Sequence, residues 1–106
     1  MRYEVSAVVE APPAAVWEWW TDHGPVGQRT RVSHGLGSSL RTVVSRDGPT
    51  IVLRESMLGI PIMTHTLELH AGQLAFKESA TAFTAWWRFE RAAEGTRVRR
   101  EVETRR

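Results

Sequence analysis

Through the second half of the chain, apolar and polar residues alternate in short runs separated by turn-forming residues. Read as strands, residues 51 to 104 place Ile51, Leu53, Met57, Met63, Leu67, Leu69, Leu74, Phe76, Phe83, Trp87, Phe89, Val98 and Val102 on one face. Glu55, His65, Glu78 and Arg100 fall on that same apolar face. An unpaired charge in an apolar core is too costly to keep, so ionisable groups on such a wall point to a sheet that lines a ligand cavity.

The first half reads differently. Residues 2 to 10 alternate, with Tyr3, Val5, Ala7 and Val9 on one side, and predict a half-buried strand that Ala11-Pro12-Pro13 ends. Proline suits the first turn of a helix, and Ala14 to Thr21 holds only residues a helix accepts. Val16, Trp17, Trp19 and Trp20 cover an arc of roughly 160° with Glu18 opposite, so the helix is expected to be buried on more than one side. Further strands are predicted at 29–34, 39–46, 50–58, 62–70, 73–80, 82–91 and 95–104. The punctuation at Gly35-Leu36-Gly37, Asp47-Gly48-Pro49, Gly59-Ile60-Pro61, Ala71-Gly72 and Glu94-Gly95 has the spacing of antiparallel hairpins. The predicted architecture is α+β: a strand, a short helical crossing and an antiparallel meander, in a single domain over residues 1–106.

Composition narrows the function. The chain has 106 residues, 42% of them hydrophobic, and a net charge of +2. Its first half holds five Arg against five acids, and residues 54–106 hold nine Lys/Arg against seven acids. On the polar face of the sheet Arg88, Arg97 and Arg99 interleave with Glu90, Glu101 and Glu103, acids that repel phosphate, so no nucleic-acid partner is expected. The absence of cysteine excludes disulfides, thiolate metal sites and a Cys nucleophile. No stretch approaches the roughly 20 apolar residues of a membrane span, so a cytoplasmic protein is expected. Gly35-Leu36-Gly37-Ser38-Ser39-Leu40 lacks the third glycine of a dinucleotide loop and the Gly-Lys-Ser/Thr of a phosphate loop, and reads as a hairpin.

Val8-Val9-Glu10-Ala11-Pro12-Pro13-Ala14-Ala15-Val16-Trp17 through Thr21-Asp22, together with Trp86-Trp87-Arg88-Phe89-Glu90 and Glu94-Gly95-Thr96-Arg97-Val98, resembles the START-like, Bet v 1-like superfamily of polyketide cyclases and lipid-transfer proteins. The likeness runs over nearly the whole chain as an order of elements. It implies a curved sheet of about seven strands in the helix-grip arrangement, with an apolar cavity. The family's long closing C-terminal helix is absent here, which implies a truncated form or a concave face covered by another subunit. Self-association through that face is therefore expected.

Hairpin register brings the polar residues together. A turn centred near Ile60 opposes Glu55 to His65 and Met57 to Met63, and a bulge near Gly72 sets His65 beside Glu78. The last hairpin sets Trp87 beside Arg100, within cation–π reach. An imidazole between two carboxylates suits ligand positioning or acid–base work. No metal or cofactor is expected, because the spacing comes from inferred pairing and no helix motif supports a metal site. Asp22, His23 and His34 could add polar groups at the cavity entrance, although loop histidines are more often exposed. The favoured function is binding of a lipid, isoprenoid or aromatic polyketide, with Leu53, Met57, Met63, Leu67, Phe76, Trp87 and Val102 in apolar contact and Glu55, His65, Glu78 and Arg100 orienting the polar end. The alternatives are a cyclase or dehydratase using His65 with Glu55 or Glu78, and a module that docks a partner chain through its apolar face.

Overall fold

A computed structural model of the chain describes residues 1–34 and 37–105, with His34 described by its backbone alone. The expected turn at Gly35-Leu36, any role of the His34 side chain and Arg106 lie outside the described residues. The elements run β1 (Arg2–Val9), α1 (Pro13–Thr21), β2 (Arg29–His34), β3 (Gly37–Asp47), β4 (Thr50–Met57), β5 (Ile60–His70), a 3-10 turn (Ala71–Gln73), β6 (Ala75–Ser79), β7 (Phe83–Ala92) and β8 (Gly95–Thr104). The fold is α+β, with one α-helix and one open, curled antiparallel sheet among the described residues. The sheet has eight strands, not the roughly seven of the resemblance, in the order β1-β8-β7-β6-β5-β4-β3-β2. No helix among the described residues is long and apolar enough to cross a membrane.

Strands β2 to β8 form an unbroken meander, and β1 lies beyond β8 at the far edge. The chain must therefore carry α1 and the loop after it from one edge of the sheet to the other. Pro12 at the N-cap and Pro13 in the first turn start the helix without a side-chain cap. It packs chiefly against β7 and β8. Val16 is buried in the core with Ile51, Leu53, Leu67, Phe76, Phe89 and Val98. Trp17 meets Phe89 edge-on with centroids 5.5 Å apart, and Trp20 lies 5.5 Å from Trp87. The expectation of burial on more than one side holds only in part, because Trp19 is 76% exposed. Nine residues of helix laid on a curled sheet have one inward stripe, and the third tryptophan falls outside it.

Two hairpins differ from expectation. The β4–β5 turn is centred on Leu58 and Gly59, both at positive φ (53° and 79°), the mirror-image turn that follows strand twist best. The register then shifts opposite Glu55 and Ser56, leaving Ile62 as the extra residue of a bulge. Between β5 and β6 the 3-10 turn replaces the bulge expected near Gly72, and Leu74 closes it at φ 47° with its N–H donating to Ala71 O at 3.1 Å.

The exit from β1 toward α1 is pinned by β8. Thr96 is fully buried and its hydroxyl donates to Ala11 O at 2.7 Å. Gly95 adopts φ +146°, and a Cβ there would stand 2.3 Å from Val9 O and 2.8 Å from Ala11 N. Gly95→Ala is expected to cost about 3 kcal/mol, which for a domain of this size lowers the melting temperature by more than about 10 °C. Gly59→Ala, at positive φ but with open space around it, is expected to cost about 1 kcal/mol. Equal losses in calorimetry would show that the close approach at Gly95 is not a constraint.

Candidate functional site

Six neighbouring strands each place polar or aromatic side chains in one belt across the concave face. Ser39 and Arg41 come from β3, Glu55 from β4, His65 from β5, Glu78 from β6, Trp87 from β7 and Arg100 from β8. Alternation alone accounts for the inward direction, since each sits two or four positions from a buried apolar residue such as Val43, Leu53, Leu67, Phe76, Phe89 or Val102.

At the centre lies His65, 2% exposed, between Glu55 at 6% and Glu78 at 5%. Its Nε2 is 2.9 Å from Glu55 Oε1 and its Nδ1 is 2.8 Å from Glu78 Oε2. Each of these short contacts contains a hydrogen, so two hydrogens are shared among three groups whatever their distribution. The trio then carries a net charge of −1. Ser39 Oγ donates to Glu55 Oε2 at 2.8 Å, and Arg41 Nε stands 3.4 Å from Glu55 Oε1. On the other side Trp87 Nε1 donates to Glu78 Oε1 at 3.1 Å. Arg100 lies between aromatic faces, its guanidinium carbon 5.2 Å from the Trp87 centroid and 5.4 Å from that of Phe83, with a terminal nitrogen 3.8 Å from Glu78 Oε1.

The trio forms, but the register beneath it is not the expected one. Glu55 pairs with Met63 and His65 with Leu53, while Met57 pairs with Ile60. Glu78 pairs with Leu67, and Leu69 faces Phe76 rather than Leu74. The contacts to His65 are therefore diagonal, within reach because Glu is long and the strands are staggered. Trp87 does pair with Arg100 directly.

Between α1 and the belt lies a half-open cleft of about 700 Å³. Of the residues expected to contact a ligand, Leu67, Phe76, Trp87 and Arg100 line it, as does Glu78. Leu53 and Val102 are only 1% exposed and belong to the packed core. Met57 is 38% exposed beside the β4–β5 turn, and Met63 sits near the same end; neither lines the cleft. Asp22 and His23, named from the sequence as polar groups for the cavity entrance, line it as well, and so do Trp19, Trp20, Thr30, Val32 and Arg41, which were not assigned from the sequence. For Arg41 a signal existed: Ser39, Arg41 and Val43 alternate onto one face. For Thr30 and Val32 none did, because nothing local tells which strand faces the helical crossing.

Electrostatics follow from this packing. Burial by itself would push the Glu78 carboxyl up, but hydrogen bonds from His65 and Trp87 and the nearby charge of Arg100 outweigh it and hold the group below its ordinary value of 4.5. Burial of Glu55 is likewise outweighed by Ser39, His65 and Arg41. His23 is held below its usual 6.5 by burial first and then by Arg41 and Arg46, against the opposing pull of Asp22 and Glu78. Among the described residues no group of His, Asp and Glu is placed to hold a metal ion. The reason at the trio is geometric: the carboxylates occupy opposite ends of one imidazole and do not converge.

No family model matches the chain and no curated protein does. Among solved structures it is similar in fold to TTHA0849 from Thermus thermophilus, with a TM-score of 0.67 and 21% identity over 98% of this chain and 72% of that one. Protein MLL2253 from Mesorhizobium loti aligns with 100% of this chain and 78% of its own at 14% identity, with a TM-score of 0.41. The first likeness bears on fold alone, and the second is too distant to carry an argument.

Folded-state values lie below unfolded ones for His23, Glu55 and Glu78, so each group stabilises the fold above its unfolded value and loses that contribution as the pH falls. Melting temperature is expected to decline below pH 6.5 on account of His23 and more steeply below 4.5 as the carboxylates take up protons. His23→Gln should remove the upper limb only. His65→Leu should cost about 3–5 kcal/mol at neutral pH and regain part of it toward about pH 5, where the stranded carboxylates protonate. A His65→Leu protein as stable as the wild type at neutral pH would rule the trio out as a structural element.

Proposed function

We propose that the chain is a START-like, Bet v 1-like domain that binds a hydrophobic or amphipathic small molecule between α1 and the concave face of its sheet. The observation that carries this reading is the two-part lining of the cleft. Trp20, Trp87, Phe76 and Leu67 give it an apolar lining, and Asp22, His23, Arg41, Glu78 and Arg100 add polar groups to it. Its volume of about 700 Å³ suits a drug-sized ligand, and convergent polar groups on an apolar wall are what orient one. The helical crossing between the first two strands, laid over the open sheet, supports the family reading.

A cyclase or dehydratase reading has one specific support, that Glu78 of the trio lines the cleft. His65 would then pass a proton to Glu78 rather than meet a substrate, since both its ring nitrogens face carboxylates. A docking role, including self-association, would draw on the exposed Leu58, Ile60 and Ile62 of the β4–β5 hairpin, none of which lines the cleft.

N-phenyl-1-naphthylamine, an uncharged aromatic probe, is expected to bind with saturable fluorescence enhancement at one site per chain. Val32→Trp, which fills the cleft from β2 without deleting a core contact, should weaken that binding more than about tenfold while circular dichroism and melting temperature are kept. Unchanged binding by this variant would place the probe elsewhere and remove the cleft from the function. Sedimentation at micromolar concentration tests the docking role: a monomer that stays monomeric after Leu58→Asp and Ile60→Asp gives that hairpin no part in association.

A further inference from the structure

Arg100 is the member of the belt whose hydrogen-bonding capacity the fold does not use. Its Nε is buried, and among the described residues no acceptor lies within hydrogen-bond distance. The nearest carboxylate oxygen, Glu78 Oε1, is 3.8 Å from a terminal nitrogen and already accepts Trp87 Nε1. Phe83 and Trp87 present ring faces to the guanidinium, which attract its charge but accept no N–H in its plane. A buried donor without a partner costs free energy, and the partly exposed guanidinium that carries it lines the cleft, where a ligand oxyanion can meet it. Arg41 differs, because its Nε is committed to Glu55.

Charge points the same way. The trio carries −1, whereas Arg41 and Arg100 at its two ends carry +1 each, so the belt holds one positive charge in excess. Asp22 also lines the cleft, but it is exposed and accepts the Gly24 N–H at 3.2 Å, and Arg46 of β3 donates to Gly24 O beside it.

We infer that the ligand is an amphipathic monoanion, an aromatic or aliphatic acid, whose oxyanion pairs with the accessible part of the Arg100 guanidinium while its apolar body lies along Trp87, Phe76 and Trp20. This rests on the cleft being the binding site, and it adds the chemical class of the ligand. A planar guanidinium edge matches the two oxygens of a carboxylate or sulfonate, and the aromatic surroundings keep water from competing.

The test uses two probes with one skeleton, 8-anilino-1-naphthalenesulfonate and the uncharged N-phenyl-1-naphthylamine. The wild-type chain is expected to bind the sulfonate at least about tenfold more tightly, and added KCl should weaken the sulfonate alone. Arg100→Met keeps the aliphatic stem between Phe83 and Trp87. It should cost the sulfonate about tenfold and change the uncharged probe less than about twofold. Arg41→Met should weaken the sulfonate less than Arg100→Met does, because Arg41 Nε is already committed to Glu55, and the reverse order would overturn the assignment to Arg100. Equal affinities in the wild type, independent of salt, would overturn the anion assignment and leave the cleft as a binding site. Failure of both probes to bind would overturn the cleft reading itself. The salt dependence is read on unmodified protein, so the inference stays testable if Arg100→Met does not fold.

Discussion

The structure depends on the hydrogens shared between His65 and its two glutamates. Three ionisable groups at the centre of a curled sheet, each no more than 6% exposed, are tolerable only while every nitrogen–oxygen contact contains a proton. That requirement places β4, β5 and β6 in one relative stagger. A slip of one residue in either pair would turn Glu55 or Glu78 outward and leave the imidazole facing an empty partner. The inner apolar residues of β4 and β5, Ile51, Leu53, Leu67 and Leu69, would accept a shift of two positions, which keeps them on the same face. The polar row does not, and so it acts as the register-setting element of the sheet.

From that centre the belt runs outward with alternating sign, Arg41 to Glu55, through His65, to Glu78 and Arg100. Each carboxylate is supported from outside the trio as well, by Ser39 and Arg41 on one side and Trp87 on the other. The arrangement explains why both carboxyls are held below their ordinary values despite burial, and why the concave face is charged along one line but apolar on either side of it. The helical crossing completes the cleft. With β1 and β2 at opposite edges, the segment joining them must span the sheet, and Trp20 is held against Trp87 and Phe89 as it does so. The topology that closes the meander thus also roofs the polar line.

Much of this was legible in alternation. Period-two patterning and turn residues were enough for the α+β class, for the strands within a few residues, and for the side on which Glu55, His65, Glu78 and Arg100 lie. The direct pairing of Trp87 with Arg100 was legible too, because the short turn after Ala92 leaves little freedom of register. The register of the two central hairpins was not. Leu58 occupies a positive-φ turn position where Asn, Asp or Gly is favoured, so the sequence locates that turn one or two residues too late. The 3-10 turn at Ala71 to Gln73 is equally silent, since Leu74 at φ 47° closes it with no glycine at that point. The two errors did not destroy the trio because long side chains reach diagonally across a staggered sheet. The cleft itself was the least legible feature. Its lining includes β2, α1 and the loop between them, and only the return of β1 to the β8 edge puts these opposite the belt.

Stability and register together account for the trio, for Ser39, for Arg41 and for Trp87, each of which satisfies a buried atom of another. They do not account for Arg100. Removing its charge would leave Glu78 with two hydrogen bonds intact, and an aliphatic chain of the same length would pack between Phe83 and Trp87 as well as the arginine stem does. The guanidinium is partly exposed, stacks on Phe83 and Trp87 and stands beside Glu78, yet its buried Nε donates to nothing among the described residues, which costs free energy. A guanidinium that lines a cleft, is held in place by two aromatic rings and has a donor left unused is what a binding site looks like before its ligand arrives. On that argument the row of charges has two distinct parts, an internally satisfied centre that sets the sheet and a terminal arginine whose partner comes from outside the chain.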